Sequence, residues 1–440
     1  MLSRAGYFIH AKFADPVFTF QYYQVFRYLV SILVSVIMVR SGLQKTDLGY
    51  YEMWIFIVAS LTFFWSAGIK NALLSYYPKS DQKIGNELIN TIFWILFGLG
   101  LLLGCILFFF PHFIIPLFIN QDILPFTHWI AIYLILTVPI VLVENILYLH
   151  RLSVKLINYT HWSQGSFLVL FLMVAVFDPT LINYIYTLLI VAFSRFLYLI
   201  WWLYRNGSLA YNSKQAKLFL VFSIPLILNM LLGSIMDFID GWFVVRYYEA
   251  AYFPVFRYGA RELPFSTLLF SSLSAAMIPV LIKDGLDSSD MRKRVNRLMH
   301  MLFPVSIVGM LISPLLFPWV YSSAFRESAF IFNIYLLILS SRVLMPQTYN
   351  FALHQHKIII WSGIAEIIVN IGLSYWWMKI WGVYGLAFAT VVAYFVQKVI
   401  LICYNFWKND IPVSRYIDIK YYLLYCVLLF VTFFITFNYF

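Results

Sequence analysis

Charge is missing from long stretches of this chain, and that absence limits its fold more than any other feature. Ile92 to Phe110 contains no Asp, Glu, Lys or Arg, and Leu423 to Phe437 is interrupted only by Thr432 and Thr436. Runs of this length match a helix crossing the hydrocarbon core of a bilayer. Of the 440 residues 62% are apolar and only 11% charged, against about half and roughly a quarter in soluble domains. Nineteen acidic residues could not cover a water-exposed surface without leaving large apolar patches, so a soluble fold is excluded. A transmembrane barrel is excluded too, because its strands alternate apolar and polar residues over about ten positions. The 20% aromatic content suits lipid-facing helices with interfacial belts. Cys105, Cys403 and Cys426 lie inside apolar segments and read as small hydrophobes. The first 20 residues lack an apolar core and a small-residue cleavage site, so the N-terminus is expected to be retained.

Breaking the chain at polar and Gly/Pro-rich joints predicts thirteen spans: 21–40, 50–77, 88–110, 123–149, 161–177, 181–204, 217–246, 252–282, 297–320, 328–353, 358–379, 383–407 and 420–438. Lys and Arg orient them, since cytoplasmic loops accumulate these residues. With the N-terminus inside, 18 of the 30 basic residues fall in cytoplasmic loops and helix ends, 5 opposite, and 7 within spans. Arg4, Lys12, Lys79 and Arg292-Lys293-Arg294 belong to the cytoplasmic set. The joint after Tyr204 leaves six spans on either side before the last one. The expected fold is an all-α polytopic membrane protein with two parallel six-helix repeats around a central cavity, plus an extra C-terminal helix. The expected parts are an N-terminal lobe at 1–204, a cytoplasmic linker at 205–216, a C-terminal lobe at 217–407 and the added helix within 408–440.

Three stretches carry a family resemblance. Leu48-Gly49-Tyr50-Tyr51 opens the second span, which closes through Ala67-Gly68-Ile69-Lys70-Asn71-Ala72-Leu73-Leu74-Ser75-Tyr76-Tyr77-Pro78. Pro225 to Asp240 lies within the seventh span, and the eighth carries Met277-Ile278-Pro279 near its end. Asn370 is followed by Trp381-Gly382-Val383-Tyr384-Gly385-Leu386-Ala387-Phe388-Ala389-Thr390. In order and spacing these stretches resemble the polysaccharide transporter family, the O-antigen and exopolysaccharide flippases, within the superfamily that also holds multidrug extruders and lipid II flippases. The resemblance covers roughly residues 22–407. It implies a cell inner-membrane protein that moves an undecaprenyl-pyrophosphate-linked oligosaccharide outward by alternating access, with no enzymatic step. It further implies working contact with membrane lipids and with polysaccharide polymerase and export machinery. No cofactor, metal or nucleic-acid partner is expected.

Ionisable residues inside spans are costly, about 2.5–3.5 kcal/mol at a helix centre, and therefore informative. The family architecture implies that spans one, two, seven and eight face the cavity. That directs attention to Arg27, Lys70, Arg257 and Arg261 as substrate-binding cations, since Arg forks match phosphate oxygens. Asp237, Asp240 and Glu144 are the candidate ion-pairing or coupling carboxylates. Arg257 and Arg261 are four apart and Asp237 and Asp240 three apart, so each pair would share a helical face. Two readings stand for them: mutual neutralisation as interhelical salt bridges, or a cationic wall awaiting a pyrophosphate. Local ion pairing is expected for Arg195, Arg342, Glu366 and Lys398. Rival functions are an ion-coupled multidrug extruder of the same fold and a membrane glycan polymerase. The cation excess speaks against the first, and the shortness of the outer joints against the second. No G-x-x-x-x-G-K-[ST] phosphate loop occurs, which speaks against an ATP-driven pump.

Overall fold

A computed structural model describes residues 15–77, 82–120, 124–206, 210–261, 264–285 and 289–438. Arg4, Lys12, Pro78, Lys79 and part of the 205–216 linker lie outside them. Among the described residues no strand occurs, and twelve helices are long and apolar enough to cross a membrane. In lipid the backbone must satisfy its own hydrogen bonds, so apolar runs become helices. Their boundaries are set by polar caps. Asp15 accepts from Val17 N at 3.0 Å and precedes Pro16 at the start of α1 (Pro16–Arg40). Asn212 accepts from the amides of Lys214 and Gln215 to start α9 (Ser213–Ser234). These are ordinary N-caps, each satisfying orphan amides of a first turn.

Between them run α2 (Lys45–Tyr76), α3 (Gln82–Phe109), α4 (Pro111–Phe118), α5 (Thr127–Ile140), α6 (Leu142–Leu149), α7 (Ser153–Phe177) and α8 (Leu181–Asn206). The helix expected over 123–149 bends at Val141, two residues after Pro139, which divides it into α5 and α6. The seventh span is likewise divided, α9 ending at Ser234 and α10 (Met236–Tyr247) restarting after Ile235.

The eighth expected span, 252–282, is not one helix. It is broken into a 3₁₀ turn at Ala250–Tyr252, α11 (Phe253–Gly259) and α12 (Pro264–Asp284), the last of 21 residues. Pro254 starts α11, and Pro264, which cannot donate an intrahelical bond, stands at the start of the next piece. The chain continues as α13 (Ser289–Val320), α14 (Arg326–Leu336), α15 (Leu339–Arg342), α16 (Gln347–Ala352), α17 (His356–Trp381), α18 (Val383–Asn409) and α19 (Ile419–Phe437). The tenth span stops at Arg342, earlier than expected, because Met345 takes a left-handed φ of 45° before Pro346. The extra C-terminal helix is present as α19.

The helices sort into two compact units, each with its own core. The first holds the described part of 1–234 together with Val245–Ala251; the second holds Ile235–Val244 and the described residues from Tyr252 onward. In the first, α2 packs on α9, α3 on α5, and α1 on α7. Trp54, 2% exposed, seals its interior and donates to the Pro125 carbonyl at 3.0 Å. In the second, α17 and α18 form the tightest pair, joined by Gly382. Its φ of 61° and ψ of −140° lie in a region essentially closed to residues with a Cβ. A Cβ on Gly385 would stand 2.3 Å from the Trp377 carbonyl oxygen, so the helices meet here backbone to backbone. Large apolar side chains such as Phe177, Leu315, Trp319 and Trp407 project outward, as lipid-facing residues do.

Candidate functional site

Two of the buried carboxyls mark candidate sites, Glu144 in the first unit and Asp240 in the second. In the first, Glu144 on α6 is 2% exposed, and the positive charges acting on it are Arg27 on α1, Lys70 on α2 and Arg195 on α8. Helices far apart in sequence thus deliver three cations to one carboxyl. Arg27 is steered by neighbours: its guanidinium donates to Gln24 Oε1 at 2.9 Å and lies 5.5 Å from the centroid of Tyr23. Tyr23 and Tyr159, each 4% exposed, form the aromatic floor beside it, with ring centroids 6.5 Å apart. Arg195 donates to the Ser163 carbonyl at 2.7 Å and lies 5.7 Å from the Phe167 ring. Its Nε is buried without a partner. The three cations against one carboxyl leave an excess of two positive charges, held next to aromatic rings that favour cations.

Arg27, Lys70 and Glu144 are therefore brought together as one site. Arg195, assigned on sequence to local pairing, joins them, and its position inside a span was the signal that marked it. Tyr23 and Tyr159 carried no signal, since tyrosine is frequent throughout this chain.

The second unit centres on Asp240, 4% exposed on α10. Its Oδ2 accepts from the Tyr335 hydroxyl at 2.5 Å and from the Thr390 hydroxyl at 2.5 Å. Thr390 in turn accepts from Asn370 Nδ2 at 2.8 Å. Asp240 Oδ1 is buried without a hydrogen-bond partner. The carboxyl is thus held by neutral hydroxyls from α14 and α18, an arrangement that tolerates either a charged or a protonated acid. Asp237, one turn earlier, shares the helix and is exposed.

The expected stacking of Arg257 and Arg261 on one helical face does not form. α11 ends at Gly259, Ala260 donates to the Phe256 carbonyl at 2.7 Å, and Arg261 lies beyond the helix. Arg257 sits 5.8 Å from the Phe253 centroid. Arg261 sits 4.9 Å from the ring of Tyr258, which stacks on Tyr321 at 4.9 Å and on Phe325 at 5.6 Å. Glu262, a further carboxylate of the eighth span, lies outside the described residues. A cavity of about 240 Å³ in the first unit is lined by Met53, Ile119, Asn120, Arg246, Tyr248 and Glu249 among others. Its arginine is already committed to the carbonyls of Pro116 and Ile119, at 2.6 and 2.9 Å.

Comparison with known proteins agrees with this architecture. Residues 37–330 match the family described as polysaccharide biosynthesis protein. Among solved structures the chain is similar to the lipid II flippase MurJ in an inward closed conformation, at 16% identity and a TM-score of 0.64, covering 94% of this chain and 91% of that one. It is also similar to an inward-facing multidrug resistance transporter of the MATE family, at 13% identity and a TM-score of 0.60, covering 91% and 95%. The Vibrio cholerae MATE transporter VcmN is a third, at 12% identity and a TM-score of 0.57, covering 92% and 98%. No curated protein sequence matches closely enough to count as a relative. The fold is that of the MOP superfamily of membrane transporters. The chain belongs to the polysaccharide biosynthesis protein family.

Proposed function

We propose that this protein is a flippase that carries an undecaprenyl-pyrophosphate-linked oligosaccharide from the inner to the outer leaflet of the cell's inner membrane by alternating access. The observation that carries this reading is the excess of cations acting on the buried Glu144: Arg27, exposed, and Lys70 and Arg195, half-buried. Two positive charges beyond what one carboxyl neutralises are expensive in a membrane protein, and an anionic head group would balance them. In this reading Arg27 and Lys70 hold the pyrophosphate in the first unit, and Arg257 and Arg261 are proposed as further phosphate contacts. Glu144, Asp237 and Asp240 keep the unloaded site together and provide coupling. The N-terminus faces the cytoplasm, and six-helix lobes at 1–204 and 217–407 rock about the cargo. Polymerase and export machinery take over the product outside, and the protein itself makes and breaks no covalent bond. The family match to polysaccharide biosynthesis supports the choice of cargo over a cationic drug.

Outward movement of an anionic head group is favoured by a membrane potential negative inside, by about 2.3 kcal/mol per elementary charge per 100 mV. The test is reconstitution with a synthetic polyprenyl-pyrophosphate disaccharide and a reporter for its appearance on the opposite leaflet. Transfer is expected to depend on the potential and to fall at least tenfold in Arg27→Gln and Lys70→Gln. Transfer of a cationic dye, with none of the lipid-linked disaccharide, would assign the protein to drug export instead.

A further inference from the structure

The second unit contains a buried polar stripe that runs on from the Asp240 site along α17 and α18. On α17, Ser362, Glu366, Asn370 and Ser374 recur every four residues and are 0, 4, 0 and 0% exposed. That spacing places them on one helical face. α18 faces them with Thr390, Lys398 and Asn405, all buried. One end of the stripe is the Asp240 site, through Asn370 and Thr390. The other is an amide cluster in which Asn405 bonds Asn350 at 2.7 Å, and Gln355 and Asn409 exchange hydrogen bonds of 2.9 Å. Gln355 and Asn409 are only half-buried. From Thr390 to Asn409 the stripe follows about 28 Å of helix at 1.5 Å per residue, nearly the thickness of the hydrocarbon core.

Glu366 and Lys398 occupy its middle, and they are not joined as a structural salt bridge would be. Lys398 gives two hydrogens to amide oxygens, Gln347 Oε1 at 3.0 Å and Gln397 Oε1 at 2.9 Å. The charges acting on Glu366 are Lys398 from α18, Arg342 from α15 and Asp237 from α10; α16 contributes the neutral Gln347. A buried carboxyl with cations nearby, whose closest ammonium is held by neutral amides, can gain or lose a proton without breaking a direct ion pair.

We propose that Glu366 and Lys398 form a proton-exchange site, loaded from the Gln355–Asn409 end of the stripe, and that each transport cycle is coupled to a proton bound there. The proton comes from water at that end, bonds to a Glu366 carboxylate oxygen, and is released to water when the site changes access. The coupling half of this inference rests on the flippase reading; the proton site does not.

Infrared difference spectra of the purified full chain in lipid nanodiscs, recorded across a pH series, test the site directly. A carboxylic-acid carbonyl signal is expected that is lost in Glu366→Gln and retained in Asp240→Asn, and Lys398→Met moves the pH at which it appears. A thermal unfolding midpoint of Glu366→Gln close to that of the wild type, read by tryptophan fluorescence, shows that this variant is folded. An acid signal unchanged by Glu366→Gln overturns the proposal. Coupling is read in proteoliposomes carrying the synthetic polyprenyl-pyrophosphate disaccharide. An imposed pH gradient is expected to change the wild-type transfer rate at least fivefold and to leave Glu366→Gln unaffected. If the wild type transfers the probe but ignores the gradient, the coupling is refuted. If it transfers none, the flippase reading falls, and the spectra still decide the proton site.

Discussion

Gly68→Ala adds a single carbon and should nevertheless weaken the first unit. Gly68 lies on α2 where it crosses α9, and a Cβ built there stands 2.5 Å from Ile227 Cα, 2.5 Å from Ile227 Cγ1 and 2.9 Å from its backbone nitrogen. Carbon pairs rest at about 3.5–4.0 Å, so about 1 Å of separation is missing. A rotamer change of Ile227 can relieve the overlap with its side chain, but the overlap with its backbone stays, and the helices must part. Overpacking of this kind costs about 1–3 kcal/mol, while replacing a mid-helix glycine returns only about 0.5–1 kcal/mol. The net expectation is a loss of about 1–2 kcal/mol. Parting the helices also stretches the hydrogen bond from Asn71 Nδ2 to Met230 Sδ, 3.2 Å, and displaces Lys70 two residues away. The assay is thermal unfolding of the purified protein in detergent, followed by tryptophan fluorescence. Gly98→Ala and Gly372→Ala, whose added carbons meet nothing within 4 Å, serve as references and should be neutral or slightly stabilising. Gly68→Ala with Ile227→Ala should regain little, because the backbone overlap persists. The reasoning is refuted if Gly68→Ala is as stable as Gly98→Ala, or if the Ile227→Ala change restores it fully.

Three further perturbations test the polar sites. Glu144→Gln keeps the side-chain shape but removes the carboxylate that acts on Arg27, Lys70 and Arg195; because those cations are exposed or half-buried, a loss of about 1 kcal/mol is expected, partly recovered in the double variant with Arg27→Gln, as read by thermal unfolding. Thr390→Val removes the hydroxyl that bonds Asp240 and leaves Asn370 Nδ2 without its acceptor, at a cost of about 2–4 kcal/mol; equal thermal midpoints for variant and wild type would show that this hydroxyl does not matter. At the start of α19, Arg292 donates to Asp418 at 3.0 Å and holds its carboxyl below the usual carboxylate range. A carboxyl lowered in the folded state stabilises it at pH above the ordinary value of about 4, and this contribution is lost as pH falls through the lowered value. Asp418→Asn should therefore lower the thermal midpoint at pH 7, and the gap to wild type should close on acidification below about pH 4.

The spans were legible because lipid leaves the backbone no alternative to the helix: an apolar run long enough to cross must be helical wherever it sits in the fold. Their interruptions were less legible. Pro254 and Pro264 stand in plain view, yet an apolar run around them still reads as one span, and only three dimensions reveal that Arg261 has left the helix. The division after Ser234 has no proline beside it; its mark in the sequence is the Gly233-Ser234 pair, a common site of helix kinks. The functional residues divide along the same physical line. Arg27, Lys70, Glu144, Asp240 and Glu366 stand out because an ionisable group in hydrocarbon carries a cost that few sites can bear. Tyr335 and Thr390, which bond Asp240, cost little when exposed to other helices and occur throughout such chains, so nothing singles them out. Reading charges therefore locates the polar sites but not their partners: arginine was one of the counterparts considered for Asp240, and two hydroxyls bond it. A hydroxyl partner satisfies a carboxyl without fixing its charge, whereas arginine would hold it ionised. That tyrosine and threonine occupy this place is invisible until α10, α14 and α18 are brought together.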